Sequence, residues 1–172
     1  EACLVGSEMC IRDRMGTKYY DWTAYHAGVR GNKVAIVDLD TAEEVTYAVL
    51  DDRAARLAQW LQAQGVAKGD RVTLLTPNCP EVFEPQFACS KIGAICIPLN
   101  WRLTVPELEY ILGDAAPKVL IYDAKFADAA EQLINLCSLP MHLRLDSEDA
   151  ACAYKQTQAA MDGKYPVSYT HL

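Results

Sequence analysis

The stretch ACSKIGAICIPLNWRLTVPELEYIL, residues 88–112, decides the fold. Its centre, Ala94 to Leu99, is a short, nearly continuous apolar run with two isoleucines, the pattern of a strand covered on both faces. Gly93 stands just before it, and glycine lets a helix end sharply because it takes left-handed backbone without a Cβ penalty. Beyond the run, Thr104 and Glu107 form a T-x-x-E capping box ahead of Leu108, Ile111 and Leu112, which predicts a helix to about Ala115. A helix, a covered strand and a second helix in immediate succession are the parts of an α/β fold with a mainly parallel sheet flanked by helices.

Further runs of the same kind extend the pattern on both sides. Val34 to Leu39, Arg71 to Thr76, Lys118 to Tyr122 and His142 to Leu145 are short and apolar or β-branched-rich, and they are expected to join Ala94 to Leu99 in the sheet. Leu50, Ala54, Leu57, Ala58 and Leu61 recur at helical spacing, so a helix is expected from about Tyr47 to Gln64, stopped by Gly65. Asn78, Pro80 and Glu81 give a capping side chain, a proline and an acid at a helix start, predicting a helix from about Pro80 to Ile92. Two more are expected near Lys125 to Leu136 and Glu148 to Met161.

Composition narrows the function classes. A chain of 172 residues with 51% hydrophobic content suits one compact core. The net charge of −7 is dispersed, with no run of basic residues to displace counterions from a nucleic-acid backbone, so no nucleic-acid partner is expected. No apolar run approaches the roughly 18 residues of a membrane span, and the first residues lack the basic leader of a secretory signal. A cytoplasmic protein is the resulting expectation.

The seven cysteines include no Cys-x-x-Cys pair and read as reduced structural thiols. A catalytic or zinc-binding cysteine is the minority reading, because no neighbouring cation pattern would stabilise a thiolate. His26 and His142 have no nucleophile or ligand pattern around them and read as packing residues. Gly28-Val29-Arg30-Gly31 with Lys33 lacks P-loop spacing and is expected to be a turn before the first strand.

GVAKGDRVTLLTPNCPE, residues 65–81, and the stretch 88–112 together resemble the acyl-adenylate-forming (AMP-dependent synthetase/ligase) superfamily. The match continues through VTYAVLDDRAARLAQWLQAQG, residues 45–65, and GDAAPKVLIYDA, residues 113–124, in the family's order. Within it, the wording Ile97 to Leu103 is most similar to fatty-acyl and medium-chain acyl-CoA synthetases.

The resemblance implies the front part of the large N-terminal domain of an adenylate-forming enzyme. It implies a parent enzyme that uses ATP, Mg2+ and coenzyme A to join a carboxylic acid, a fatty acid on this wording, to a thiol. The family's phosphate loop ending Pro-Lys-Gly, its Tyr-Gly-x-Thr-Glu motif, its ribose-binding Asp and its C-terminal Lys have no counterpart in this sequence and are expected beyond Pro166. No catalytic, cofactor-binding or metal residue is therefore carried onto this chain, which is expected to be inactive alone and to bind none of these cofactors tightly. Asn78, Asn100 and Arg102 read as structural, with Arg102 pairing with Glu107 or Glu109. The functional alternative is that Asn100 or Arg102 borders the acyl or adenylate cavity, since strand ends in open α/β sheets line ligand crevices. Oligomeric state is not legible.

The two ends look foreign. CLVGSEMCIRDR, residues 3–14, and VSYTHL, residues 167–172, resemble translated sequencing-adapter DNA. The expected organisation is an artefact over 1–14, a partial synthetase N-terminal domain over 15–166, and an artefact over 167–172. The competing reading is a free-standing flavodoxin-like binding module without catalysis. A dinucleotide-dependent oxidoreductase would need a G-x-G-x-x-G turn that the sequence does not contain.

Overall fold

The computed structural model describes residues 21–146 and 152–164. The expectations for 1–14, for 148–151 and for 167–172 lie outside the described residues. The first element is one that the helical pattern did not reveal. Helix α1, Trp22–Arg30, starts at Asp21, whose carboxylate accepts from the Ala24 amide at 3.1 Å and the Thr23 hydroxyl at 2.9 Å, satisfying donors that a helix start leaves open. Gly28 lies inside this helix rather than in a turn, so the expected loop at Gly28 to Gly31 shrinks to the residues after Arg30.

Strand β1, Val34–Val37, was expected in the main sheet and is not there. It pairs antiparallel with β2, Glu44–Thr46, as a separate two-stranded sheet. The reason is the intervening turn. The Asp38 carboxylate accepts from the Asp40 amide at 2.9 Å and the Thr41 hydroxyl at 2.8 Å, folding the chain straight back. A local antiparallel partner needs only such a turn, whereas a parallel partner needs a long crossover.

Helix α2, Tyr47–Ala63, then follows with Thr46 as its cap, and Gly65 ends it at a φ of +83°. The main sheet consists of β3, Arg71–Leu75, β4, Ile95–Pro98, β5, Val119–Asp123, and β6, Met141–Leu145. All neighbours run parallel, in the order β4-β3-β5-β6. These four runs agree with their expected positions to within a residue or so at each end.

The crossovers supply α3, Phe83–Ile92, α4, Val105–Ala115, and α5, Ala127–Leu136, and α6, Ala153–Ala159, follows β6. Helix α3 is preceded by a 3-10 turn, Pro80–Val82, capped by Cys79 without a side-chain bond. Asn78 is thus one residue too early to cap, correcting that expectation. Gly93 closes α3 in the left-handed region at a φ of +72°. At α4 the Glu107 carboxylate accepts from both the amide and the hydroxyl of Thr104, at 2.8 and 2.7 Å. With that carboxylate engaged, Arg102 lies over the Trp101 ring instead of pairing with Glu107 or Glu109.

Alternation along the strands divides the core in two. Val72, Leu74, Val119 and Ile121 face Leu57 and Leu61 of α2, Ala88 and Ile92 of α3, and Tyr154 of α6. Leu75 and Leu120 face Leu108 and Leu112 of α4 and Leu133 of α5. Between the layers, the buried Thr73 hydroxyl donates to the Val119 carbonyl at 3.1 Å. The segment after α6 is strapped to α2: Arg56 donates to the Met161 carbonyl, and Gln59 donates to the Asp162 carboxylate at 2.7 Å. Among the described residues no helix is long and apolar enough to cross a membrane.

Candidate functional site at the carboxyl end of the sheet

The strand order itself locates the site. From β3 the chain first places β4 on one side and then crosses over to place β5 on the other. In open α/β sheets ligands enter the crevice at the carboxyl ends of strands where the connections diverge in this way. That crevice lies between the loop after Leu75 and the loop after Asp123.

The Asp123 side chain is buried and accepts from the Lys125 amide at 2.8 Å, which turns the chain into a 3-10 segment, Ala124–Phe126. On the β3 side, Cys79 hydrogen-bonds the Glu81 carboxylate, and burial, with the charge of Glu81 adding to it, pushes its thiol up to about 12. Asp123 acts on Cys79 in the same direction, so the two loops face each other with acidic character. Cys79 is therefore a neutral thiol near pH 7, without the stabilised thiolate a nucleophile needs.

The loop after β4 reaches the same end. Asn100 accepts from the Arg102 amide at 3.1 Å through its side-chain oxygen, fixing the turn. The Trp101 ring stands 5.9 Å from the Phe126 ring, and the Arg102 guanidinium lies 4.8 Å from the Trp101 centroid. The structure thus brings Asn100 and Arg102 to the rim with Trp101 and Phe126, two residues that sequence reasoning did not single out. Asn78 is exposed in the loop after β3. The His26 ring lies 4.9 Å from the Tyr47 ring, and its buried Nδ1 has no partner among the described residues. His142 is exposed near Tyr122.

Behind the β3 loop lies a buried polar cluster. Glu84 is 2% exposed and accepts from the Tyr154 hydroxyl at 2.9 Å, Gln158 Nε2 at 2.7 Å and Arg53 at 3.4 Å. Burial raises its pKa, and these donors only partly oppose that. Glu81 has one buried carboxylate oxygen without a partner among the described residues. Together with Lys155 these side chains line a cavity of about 260 Å³.

Triphosphate and magnesium do not fit the described residues. A transferring phosphate needs convergent donors and positive charge, yet the buried charged groups here are the acids Glu81, Glu84 and Asp123, and Arg102 is turned onto the Trp101 ring. No group of three or more His, Cys, Asp or Glu among the described residues could hold a metal ion.

Comparison with known proteins places this scaffold. The family described as AMP-binding enzyme matches residues 23–168. A feruloyl-CoA synthase of Amycolatopsis is 43% identical over 112 residues, covering 65% of this chain and 22% of that protein. A long-chain-fatty-acid–CoA ligase of Mycobacterium tuberculosis is 41% identical over 99 residues, covering 58% of this chain and 20% of that protein. The chain thus spans about a fifth of the length of these relatives.

Among solved structures, the N-terminal domain of FACL13 from Mycobacterium tuberculosis superposes with a TM-score of 0.75 at 30% identity, over 86% of this chain and 37% of that one. An anthranilate–CoA ligase in complex with anthranoyl-AMP gives a TM-score of 0.80 at 25% identity, over 92% and 30%. The β4-β3-β5-β6 order is also that of a flavodoxin-like sheet, but a binding module of that kind does not account for a family match across nearly the whole chain. This chain belongs to the AMP-binding enzyme family.

Proposed function

We propose that the chain is the front part of the N-terminal domain of an ATP-dependent carboxylate–CoA ligase, and that residues 15–166 are its biological portion. The observation that carries this reading is the family match over residues 23–168, joined to relatives named as CoA ligases at over 40% identity. In that reaction ATP activates the carboxylate as an acyl-adenylate, with loss of pyrophosphate, and coenzyme A then accepts the acyl group.

The residues of this chain build one wall of such a site. They order the carboxyl ends of β3, β4 and β5, and Trp101 and Phe126 cover the end of the sheet between them. In this reading the transferring groups are supplied elsewhere in the parent, and this chain alone is expected to be inactive. The acidic lining of the crevice supports this division of labour.

The substrate we propose is a fatty acid, on the wording of Ile97 to Leu103 and the similarity to the mycobacterial long-chain ligase. An aromatic acid is the second reading, favoured by the similarity to feruloyl-CoA synthase. The test is ATP-dependent loss of the coenzyme A thiol with fatty and aromatic acids, measured on the uninterrupted reading frame and on this chain. Turnover of fatty acids by the former only supports the proposal. Turnover by this chain alone overturns its inactivity, and none by the full frame with any acid overturns the ligase reading.

A further inference from the structure

The cavity of about 260 Å³ behind the β3 loop is lined by two acids that are not alike. Both oxygens of Glu84 are engaged: Oε1 accepts from Arg53 at 3.4 Å, and Oε2 accepts from the Tyr154 hydroxyl at 2.9 Å and from Gln158 Nε2 at 2.7 Å. Glu81 lines the same cavity and is only 8% exposed, yet its Oε2 is buried without a partner among the described residues. A buried acceptor left in this way is costly, and buried charges are found paired or coordinating an ion. The cavity stands open beside the one carboxylate oxygen that has neither.

We propose that this cavity binds one small monovalent cation, potassium or ammonium, with Glu81 as its charged ligand. A water molecule would donate a hydrogen bond to Oε2 but leave the charge uncompensated. The lining also offers further oxygens. The Tyr154 hydroxyl donates to Glu84, which leaves its lone pairs as acceptors, and Glu84 Oε1 has only the long Arg53 contact. Protein oxygens of this kind replace the hydration shell of a monovalent ion. No three His, Cys, Asp or Glu side chains converge among the described residues, so a divalent ion, with the fuller cage it demands, is not the occupant.

The surroundings agree with a missing positive charge. Burial, and with it the charge of Glu81, pushes the Glu84 carboxyl up, and a cation beside Glu81 relieves the second of these effects. Glu81 belongs to the 3-10 turn Pro80–Val82 on the crevice side, and Tyr154 belongs to α6. The bound ion therefore clamps α6 to the turn that leads from β3 into α3.

The experiment follows thermal unfolding of the full chain in potassium, ammonium and tetraethylammonium chloride at the same concentration and pH. Tetraethylammonium matches the ionic strength but shields its charge beneath its ethyl groups. The expected midpoint is about 3–5 °C higher in potassium or ammonium once the ion is in about tenfold excess over its dissociation constant. Glu81→Gln, which removes the charge at nearly constant shape, is expected to abolish the difference, and Tyr154→Phe to reduce it. A far-ultraviolet spectrum shows that each variant is folded. Equal midpoints of the parent chain in the three salts, the result if water or the Lys155 ammonium occupies the cavity, overturn the proposal whatever the variants do. A difference that survives in folded Glu81→Gln overturns it as well.

Discussion

The Lys91 ammonium lies 2.7 Å from the Asp21 carboxylate, fastening the start of α1 to the end of α3. A second carboxylate, Asp51 of α2, approaches the same nitrogen at 2.6 Å. The Lys91 side chain is only 3% exposed, so one buried cation ties three helices together. Removing one partner of such an arrangement leaves an uncompensated buried charge. Lys91→Met is expected to cost about 3 kcal/mol, read from urea unfolding at neutral pH.

The same cluster sets a pH window. Burial disfavours the Asp21 carboxylate, but the Lys91 and Ala24 hydrogen bonds outweigh it and hold its pKa below the usual 3.8. Its stabilisation is therefore fully present above 3.8 and is lost as pH falls through the folded value. Burial likewise disfavours charge on Lys91, but Asp21 and Asp51 raise its pKa above 10.5. That contribution is fully present below 10.5 and is lost as pH rises through the folded value. Urea midpoints of the chain and of Asp21→Asn should differ by a constant amount near neutrality and converge in strong acid.

Much of the fold could be read because its signals are local. The Thr104 and Glu107 pair, the stops at Gly65 and Gly93, and the apolar runs of β3 to β6 each act within a few residues of themselves. Helix α1 was missed because Trp22, Thr23, Tyr25 and Val29 are weak helix formers and Gly28 lies among them. Its support comes from Lys91, seventy residues away in sequence. Strand β2 spans only Glu44–Thr46, too short to show a period. At the site, Asn100 and Arg102 could be noted from strand-end position alone. The meeting of Trp101 with Phe126 depends on the crossover that sets β4 and β5 on opposite sides of β3, which no short motif encodes.

Tyr154 reports on the buried carboxylate. Its hydroxyl donates to Glu84 at 2.9 Å from a fully enclosed position. Tyr154→Phe keeps the ring and removes one donor from a buried acid, so it should cost about 1.5 kcal/mol in the same unfolding experiment. An unchanged midpoint would show that α6 is not docked on the core as described.

The two helix stops should separate conformational strain from contact. Gly65 has a φ of +83° and open space where a Cβ would stand, while Gly93 has a φ of +72° and a Cβ there would lie 3.1 Å from the Lys68 side chain. Left-handed backbone costs a residue with a Cβ roughly 1–2 kcal/mol. Gly65→Ala should fall near the lower figure and Gly93→Ala near or above the upper one, measured by thermal unfolding.

Core packing gives an effect as large as that of the buried cation. Leu61 of α2 is fully buried against the sheet, and Leu61→Ala should cost about 3 kcal/mol through lost burial and the cavity left behind. A loss below about 1 kcal/mol would contradict the close seating of α2 on β3 and β5.

The most direct test of the central claim, that this chain is the front of a CoA ligase, is to reread the source DNA across both ends with primers independent of any adapter. The account predicts that the terminal runs 3–14 and 167–172 vanish and that the open frame continues into a Ser/Thr/Gly-rich loop ending Pro-Lys-Gly. A stop codon directly after Leu172, with both terminal runs intact, would contradict it and leave the ligase fold here as ancestry without the reaction.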